Sequence, residues 1–287
     1  MIRGIDSTEL AESRIGDFVQ PMIWSYSTDL GDLKWPPLWQ KFGENFRTLW
    51  VASAFKGAAT AAEMYTNPRQ HLKNHLQWVE ILETYARGPE RRVNVRGIAL
   101  TGWQRFDHFA ALCELLPVAM KSLGVCLQTM LHGSFDAEVV LDAVTTILKC
   151  EKQISIELEY EEDQICQYPG FEIQHLVEEI NFLDFPSDEE LRGYLNPYQI
   201  KYKVSNQWML RRIFPRISHV RETLRSSVLP LRRALTDFYD EYTVDEWMEI
   251  NFNPLLKEYE HYSSAVEEIL EQRALPRRPF AVSLPPK

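Results

Sequence analysis

Apolar residues along this chain follow two periods. In the first third, short β-rich runs at 19–26, 49–55 and 95–103 alternate with stretches whose apolar positions recur every three or four residues. Lys56-Gly57 closes the second run as a turn signal. Residues 38–44, following Pro36-Pro37, read as a short helix, and 68–86 as a longer one with Leu72, Leu76, Val79, Leu82 and Tyr85 on a single stripe. Asn67 followed by Pro68 supplies the start signal of that helix, a side-chain acceptor and then a residue with no N–H to satisfy. A further apolar helical stretch runs over 109–131. Strands that alternate with helices pair in parallel through right-handed crossovers, so three βα units are predicted. A closed (β/α)8 barrel needs eight.

From Ser134 onward no run reads as a strand. Residues 136–148 open with an acidic turn, 205–214 and 217–228 read as two helices divided by Pro215, and 230–242 and 244–272 as the arms of a long helical hairpin. Asn253-Pro254 is predicted to kink the second arm. The acidic stretch 151–197, with Glu157-Leu158-Glu159-Tyr160-Glu161-Glu162-Asp163 at its centre, reads as a solvated loop, and 276–287, with Pro276, Pro279, Pro285 and Pro286, as a disordered tail. The expected division is therefore 1–135 for the βα units, 136–275 for the helical region and 276–287 for the tail.

Composition narrows the class. The 287 residues are 45% hydrophobic and 25% charged, enough to bury a core. The most apolar window, 109–125, is interrupted by Glu114, Pro117 and Lys121, so no membrane-spanning helix is expected. A formal charge of -10 argues against a nucleic-acid partner. That charge is uneven: residues 134–190 carry 2 bases and 16 acids, and residues 201–233 carry 9 bases and 1 acid. Arg211, Arg212, Arg216, Arg221 and Arg225 recur at helical spacing, which is the mark of an ion-paired helix face facing acids of the same chain, with a basic docking surface as the sharper alternative. Cys113, Cys126, Cys150 and Cys166 show no metal-ligand spacing, and their apolar neighbours suggest buried free thiols in a reducing compartment.

Candidate chemistry clusters at strand ends. Six of the eight tryptophans lie within the first 103 residues. Trp24 precedes Ser25-Tyr26-Ser27-Thr28-Asp29, and Trp103 precedes Gln104-Arg105-Phe106-Asp107-His108, so each aromatic face is flanked by hydrogen-bonding groups. Ligands of parallel sheets bind where loops leave the carboxyl ends of strands, and a sugar asks for an apolar face for its C–H side and polar groups for its hydroxyls. Trp35, Trp39, Trp50 and Trp78 are expected to serve packing. Asp107-His108 reads as a helix cap beside an exposed imidazole, because adjacent side chains rarely face one another. Phosphate loops, dinucleotide fingerprints, nucleophile elbows and zinc-protease motifs are absent from the sequence, and neither cofactor nor metal is expected.

The runs PMIWSYSTDL at 21–30, LWVASAFKGA at 49–58, HLKNHLQWVE at 71–80 and GIALTGWQRFDHFAALCELLP at 97–117 resemble the nucleocytoplasmic β-N-acetylhexosaminidases of glycoside hydrolase family 20. The likeness covers residues 1–135 and, more loosely, the helical region, where Asp245-Glu246-Trp247 and Asn253-Pro254 share in it. It implies the last three βα units of a TIM barrel, strands six to eight, followed by a helical C-terminal region. It also implies retaining hydrolysis of N-acetyl-β-galactosaminides or glucosaminides in which the substrate's own acetamido group attacks the anomeric carbon, a family exception to the two-carboxylate scheme. An Asp-Glu pair after the fourth strand supplies the acid in such enzymes, and by this resemblance it would precede Met1. The chain is therefore expected to hold no catalytic residue of its own and to be inactive alone, while Trp24, Tyr26, Trp103, Arg105 and Asp107 are implied as substrate-binding groups, Tyr26 as a donor to the acetamido oxygen. N-acetylhexosamine-bearing glycoconjugates are the implied partners, and cytoplasm and nucleus the implied location. A non-catalytic carbohydrate-binding or interaction module is the alternative, disfavoured because three parallel strands with a bare edge invite aggregation.

Overall fold

The computed structural model describes residues 6–89 and 91–272. Two compact units divide the chain, the first ending at Val177 and the second beginning at Glu178.

The first unit is built on a parallel three-stranded sheet of order β1-β2-β3, with β1 at Met22–Trp24, β2 at Leu49–Lys56 and β3 at Val95–Gly102. Trp24 pairs with Ala52 and Ala52 with Ala99. β1 is shorter than its apolar run because Pro21 lacks an N–H and contributes its carbonyl alone, accepting from Trp50 N at 2.9 Å. After α1 (Ser7–Ser13), helix α2 (Pro36–Asn45) joins β1 to β2, and α3 (Pro68–Leu82), prolonged by a π-helical turn over Glu83–Arg87, joins β2 to β3. The Asn67 side chain caps α3 as its sequence predicts, accepting from the backbone N–H groups of Arg69 and Gln70.

Strand alternation puts Ile23, Leu49 and Val51 toward the helices, where they join Trp39, Phe42, Trp78, Ile81 and Leu82 in one buried cluster. The full burial of Trp39 and Trp78 agrees with a packing role, whereas Trp35 is exposed. The stretch 109–131 is not one helix. Helix α4 spans Met120–His132, preceded by a 3-10 turn starting at Pro117. Residues 105–116 instead form a loop in which Arg105 bridges Leu112 and Cys113 N donates to Gln104 O at 2.8 Å, pairings across the loop that a continuous helix could not make.

The acidic stretch 151–197 is not a solvated loop throughout. It contains α6 (Phe171–Asn181) and α7 (Asp188–Tyr194), and Ile154, Cys166 and Tyr168 pack against Val140, Val144 and Leu148 of α5 (Ala137–Leu148). Cys150 and Cys166 are joined by a disulfide, so the expectation of four free thiols is corrected, and free buried thiols remain at Cys113 and Cys126. The cysteines lie 16 residues apart in sequence, and the turn that folds 148–168 back, with Glu151 N donating to Ile165 O, brings them together. With that bond formed, thiol content no longer argues for a reducing compartment.

In the second unit α7 is followed by α8 (Pro197–Tyr202), α9 (Gln207–Thr236), α10 (Glu241–Trp247) and α11 (Asn253–Leu270). Pro215 does not divide two helices, and α9 passes through both Pro215 and Pro230. Each proline deprives an exposed carbonyl, at Arg211 and Ser226, which water can satisfy, while Leu210, Ile213, Ile217, Val220, Leu224 and Leu231 stay buried on the opposite stripe. The hairpin is thus formed by α9 and α11, and a π-helical turn over Met248–Phe252 takes up the break before Pro254. Four arginines of α9 are ion-paired, Arg216 with Asp184 and Glu190, Arg221 with Glu267, Arg225 with Glu260 and Arg232 with Asp245, while Arg212 lies over the Trp208 ring at 5.0 Å. Glu260 and Glu267 belong to α11, Asp245 to α10 and Glu190 to α7, while Asp184 precedes α7; acids of 151–163 find first-unit bases instead, Glu157 at Arg69 and Glu161 at Lys121. The tail at 276–287 lies outside the described residues. Among the described residues no helix is long and apolar enough to cross a membrane.

Candidate functional site

A cavity of about 720 Å³ opens over the sheet, lined by Met22, Trp24, Tyr26, Ala52, Ala58, Thr101, Trp103 and Phe106. These residues alternate with the helix-facing set, so they occupy the face that α3 does not cover, and its floor is the small side chain of Ala52. Three rings converge at its rim. Trp24 and Tyr26 stack with centroids 5.4 Å apart and planes at 27°, and Tyr26 meets Trp103 edge-on at 5.9 Å and 61°. Trp24 is 65% exposed and Trp103 44%, so each indole keeps surface open to a ligand.

Each ring is held by backbone restraints. Asn74 donates to the carbonyls of Ser25 and Ser27 at 3.1 and 2.6 Å, and the Trp78 indole donates to Ser25 O at 3.1 Å, pinning the turn that carries Tyr26. Trp103 follows β3 directly, its N–H donating to Lys56 O at 3.2 Å while the Lys56 ammonium donates to Trp103 O. Gly57, at φ 63°, sits against this contact, and the Glu114 carboxylate accepts its N–H.

Of the five residues singled out from sequence, Trp24, Tyr26 and Trp103 come together around the cavity. Arg105 and Asp107 do not line it. Arg105 Nη1 donates to Ala110 O at 2.9 Å, and Asp107 Oδ1 accepts from the N–H groups of Phe109 and Ala110 at 2.8 and 3.0 Å, closing the loop on itself. Asp107 therefore caps a turn, not a helix.

Sequence reasoning passed over Lys56 and Glu114, each 1% exposed. Their signal was a charge at the end of a strand run and another inside an apolar one. It also passed over a buried polar seam on the helix side of β2, where His75 Nε2 lies 2.8 Å from Ser53 Oγ, His75 Nδ1 2.8 Å from His71 O, and His71 Nδ1 2.8 Å from Ala54 O. Burial presses both imidazoles down to about 4, so they are neutral at pH 7. Among the described residues no cluster of His, Cys, Asp or Glu is arranged to hold a metal ion.

The sequence resembles two known proteins. Human hexosaminidase D is 31% identical over 281 residues, 94% of this chain and 55% of the human protein. Bovine hexosaminidase D is 45% identical over 140 residues, 48% of this chain and 39% of the bovine protein. The chain is hexosaminidase D-like. No protein-family profile matches it. The hexosaminidase D-like sequence thus spans about half the length of the human relative while aligning along almost all of its own.

Proposed function

We propose that the cavity is the aromatic wall of a β-N-acetylhexosaminide site, and that the three βα units are the sixth to eighth of an eight-stranded barrel. The observation that carries this reading is the convergence of Trp24, Tyr26 and Trp103 at one end of a parallel sheet in a hexosaminidase D-like chain. The indole faces suit the C–H side of a pyranose, and the Tyr26 hydroxyl suits an acetamido oxygen. In the substrate-assisted reaction that oxygen attacks the anomeric carbon, an acid protonates the departing glycosidic oxygen as its bond to carbon breaks, and water opens the resulting oxazolinium with retention.

In this reading the chain orients the sugar and does not cleave it. Asp107 and Glu114 both spend their carboxylates on backbone N–H groups, which leaves the wall aromatic and hydroxylic. Terminal N-acetyl-β-galactosaminides or glucosaminides of glycoconjugates are the proposed ligands, and the cytoplasm and nucleus the proposed setting, on likeness alone. A non-catalytic carbohydrate-binding module is the second reading, supported by the same commitment of Asp107 and Glu114.

One titration tests both parts. The purified chain is mixed with an aryl N-acetyl-β-galactosaminide, and tryptophan fluorescence and aryl release are followed together. Saturable quenching whose half-saturation concentration rises about tenfold in Trp103→Ala, with no aryl release, is expected. Aryl release at a rate above the uncatalysed one overturns the proposed inactivity, and the absence of saturable quenching overturns the sugar site.

A further inference from the structure

Lys56 and Glu114 are buried charges that lie beside the cavity without lining it. A buried charge is costly unless its hydrogen-bonding capacity is met, and apolar or neutral residues of similar volume would fill the same space at lower desolvation cost. Both charges are spent on the backbone around one ring. The Lys56 ammonium donates to Trp103 O, and the Trp103 N–H returns to Lys56 O at 3.2 Å. Both Glu114 oxygens accept from Gly57 N, at 3.2 and 3.1 Å. Gly57 is the other half of the contact: a Cβ there would lie 2.5 Å from Trp103 O and 2.8 Å from Trp103 Cβ, so the two backbones touch. Burial lowers the Lys56 pKa and raises that of Glu114, while the charge of each pulls the other back toward its ionised form.

We propose that Lys56 and Glu114 are positioning residues that together fix the Trp103 ring in the cavity wall, Lys56 through the Trp103 carbonyl and Glu114 through the Gly57 amide. The proposal rests on the sugar-site reading for its functional meaning, but the placement of the ring can be measured without ligand.

The test uses the whole chain labelled with 5-fluorotryptophan and observed by fluorine NMR, with Trp103→Phe assigning the Trp103 signal. Lys56→Met and Glu114→Ala are expected to shift or split that signal while the signals of buried Trp39 and Trp78 stay in place. Glu114→Gln, which keeps an acceptor for Gly57, is expected to retain the native signal. The half-saturation concentration for the aryl N-acetyl-β-galactosaminide is expected to rise about tenfold in Lys56→Met and Glu114→Ala, and to stay within about threefold in Glu114→Gln, the difference between losing and keeping a buried hydrogen bond. An unmoved Trp103 signal in both Lys56→Met and Glu114→Ala overturns the proposal. Should a single variant leave its partner charge unpaired and unfold, the charge-neutral double variant Lys56→Met with Glu114→Gln decides: a displaced Trp103 signal in the folded protein supports the proposal, and an undisplaced one overturns it. If the native chain binds no hexosaminide yet the signal moves in the variants, the sugar reading fails and the positioning role stands.

Discussion

The Nε2 atom of His75 lies 2.8 Å from Oγ of Ser53, tying the middle of α3 to the middle of β2 inside the core. His75 Nδ1 faces the His71 carbonyl, which can only accept, so Nδ1 carries the proton and Nε2 accepts from the serine hydroxyl. His71 likewise points Nδ1 at Ala54 O.

Acid should therefore loosen this core before the carboxylates titrate. In the unfolded chain both imidazoles protonate near the ordinary value of 6.5, whereas burial holds them at about 4 in the folded one. Between those values the unfolded state binds more protons, so stability is full above pH 6.5 and falls as pH drops toward 4, by about 3 kcal/mol for each imidazole at the lower end. Urea midpoints measured from pH 7.5 to 5 check this, and the slope should flatten in His75→Gln.

Gly57→Ala should destabilise the chain by roughly 2 kcal/mol or more, since a left-handed backbone costs an L-residue about 1–2 kcal/mol and the added Cβ meets Trp103 as well. Gly133, at φ 71° with open space around it, is the control. Gly133→Ala should cost about 1 kcal/mol, the backbone part alone. Parallel denaturant curves separate strain from collision.

The tryptophans should sort into two classes. Trp39→Ala and Trp78→Ala remove fully buried side chains and are expected to cost about 3–5 kcal/mol. Trp24→Ala and Trp103→Ala remove half-open rings and should lower stability by no more than about 1 kcal/mol while weakening hexosaminide binding about tenfold. Chemical denaturation and fluorescence titration on the same four variants distinguish the classes.

Thiol counting should find two cysteines in the denatured, unreduced chain and four after reduction. The folded chain should react slowly, because burial lifts the Cys126 thiol to about 12 and raises that of Cys113. Replacing Cys150 and Cys166 together with serine should lower stability by about 2–3 kcal/mol, the loop-closure contribution of a 16-residue separation. Thermal melts with and without reductant provide the comparison.

Local order in this chain was legible where neighbouring residues alone decide it. The β-rich run at 49–55, the stripe carrying Leu72 and Leu82, and the cap at Asn67 all correspond to observed elements. So was the placing of Trp24 and Trp103 at strand ends. The roles of Arg105 and Asp107 were not legible, because a charged side chain after a strand can face a ligand or close its own loop with equal local sense, and here both close the loop. The same holds for Pro215 and Pro230, which break an isolated helix and are tolerated in one whose opposite stripe is buried.

What the sequence determined by itself is the succession of periods in the first third: three strands, the helices between them, and the aromatic residues at two strand ends. The tertiary structure decided where polar and sulfur groups go: Cys150 to Cys166, Lys56 to Trp103, Glu114 to Gly57 and His75 to Ser53. The reason is range. A period of 2 or 3.6 is written in residues a few positions apart, whereas a buried polar group takes whichever partner the folded chain brings within about 3 Å, and the penalty for leaving it unpaired, about 1–3 kcal/mol, is set by burial that exists only after folding.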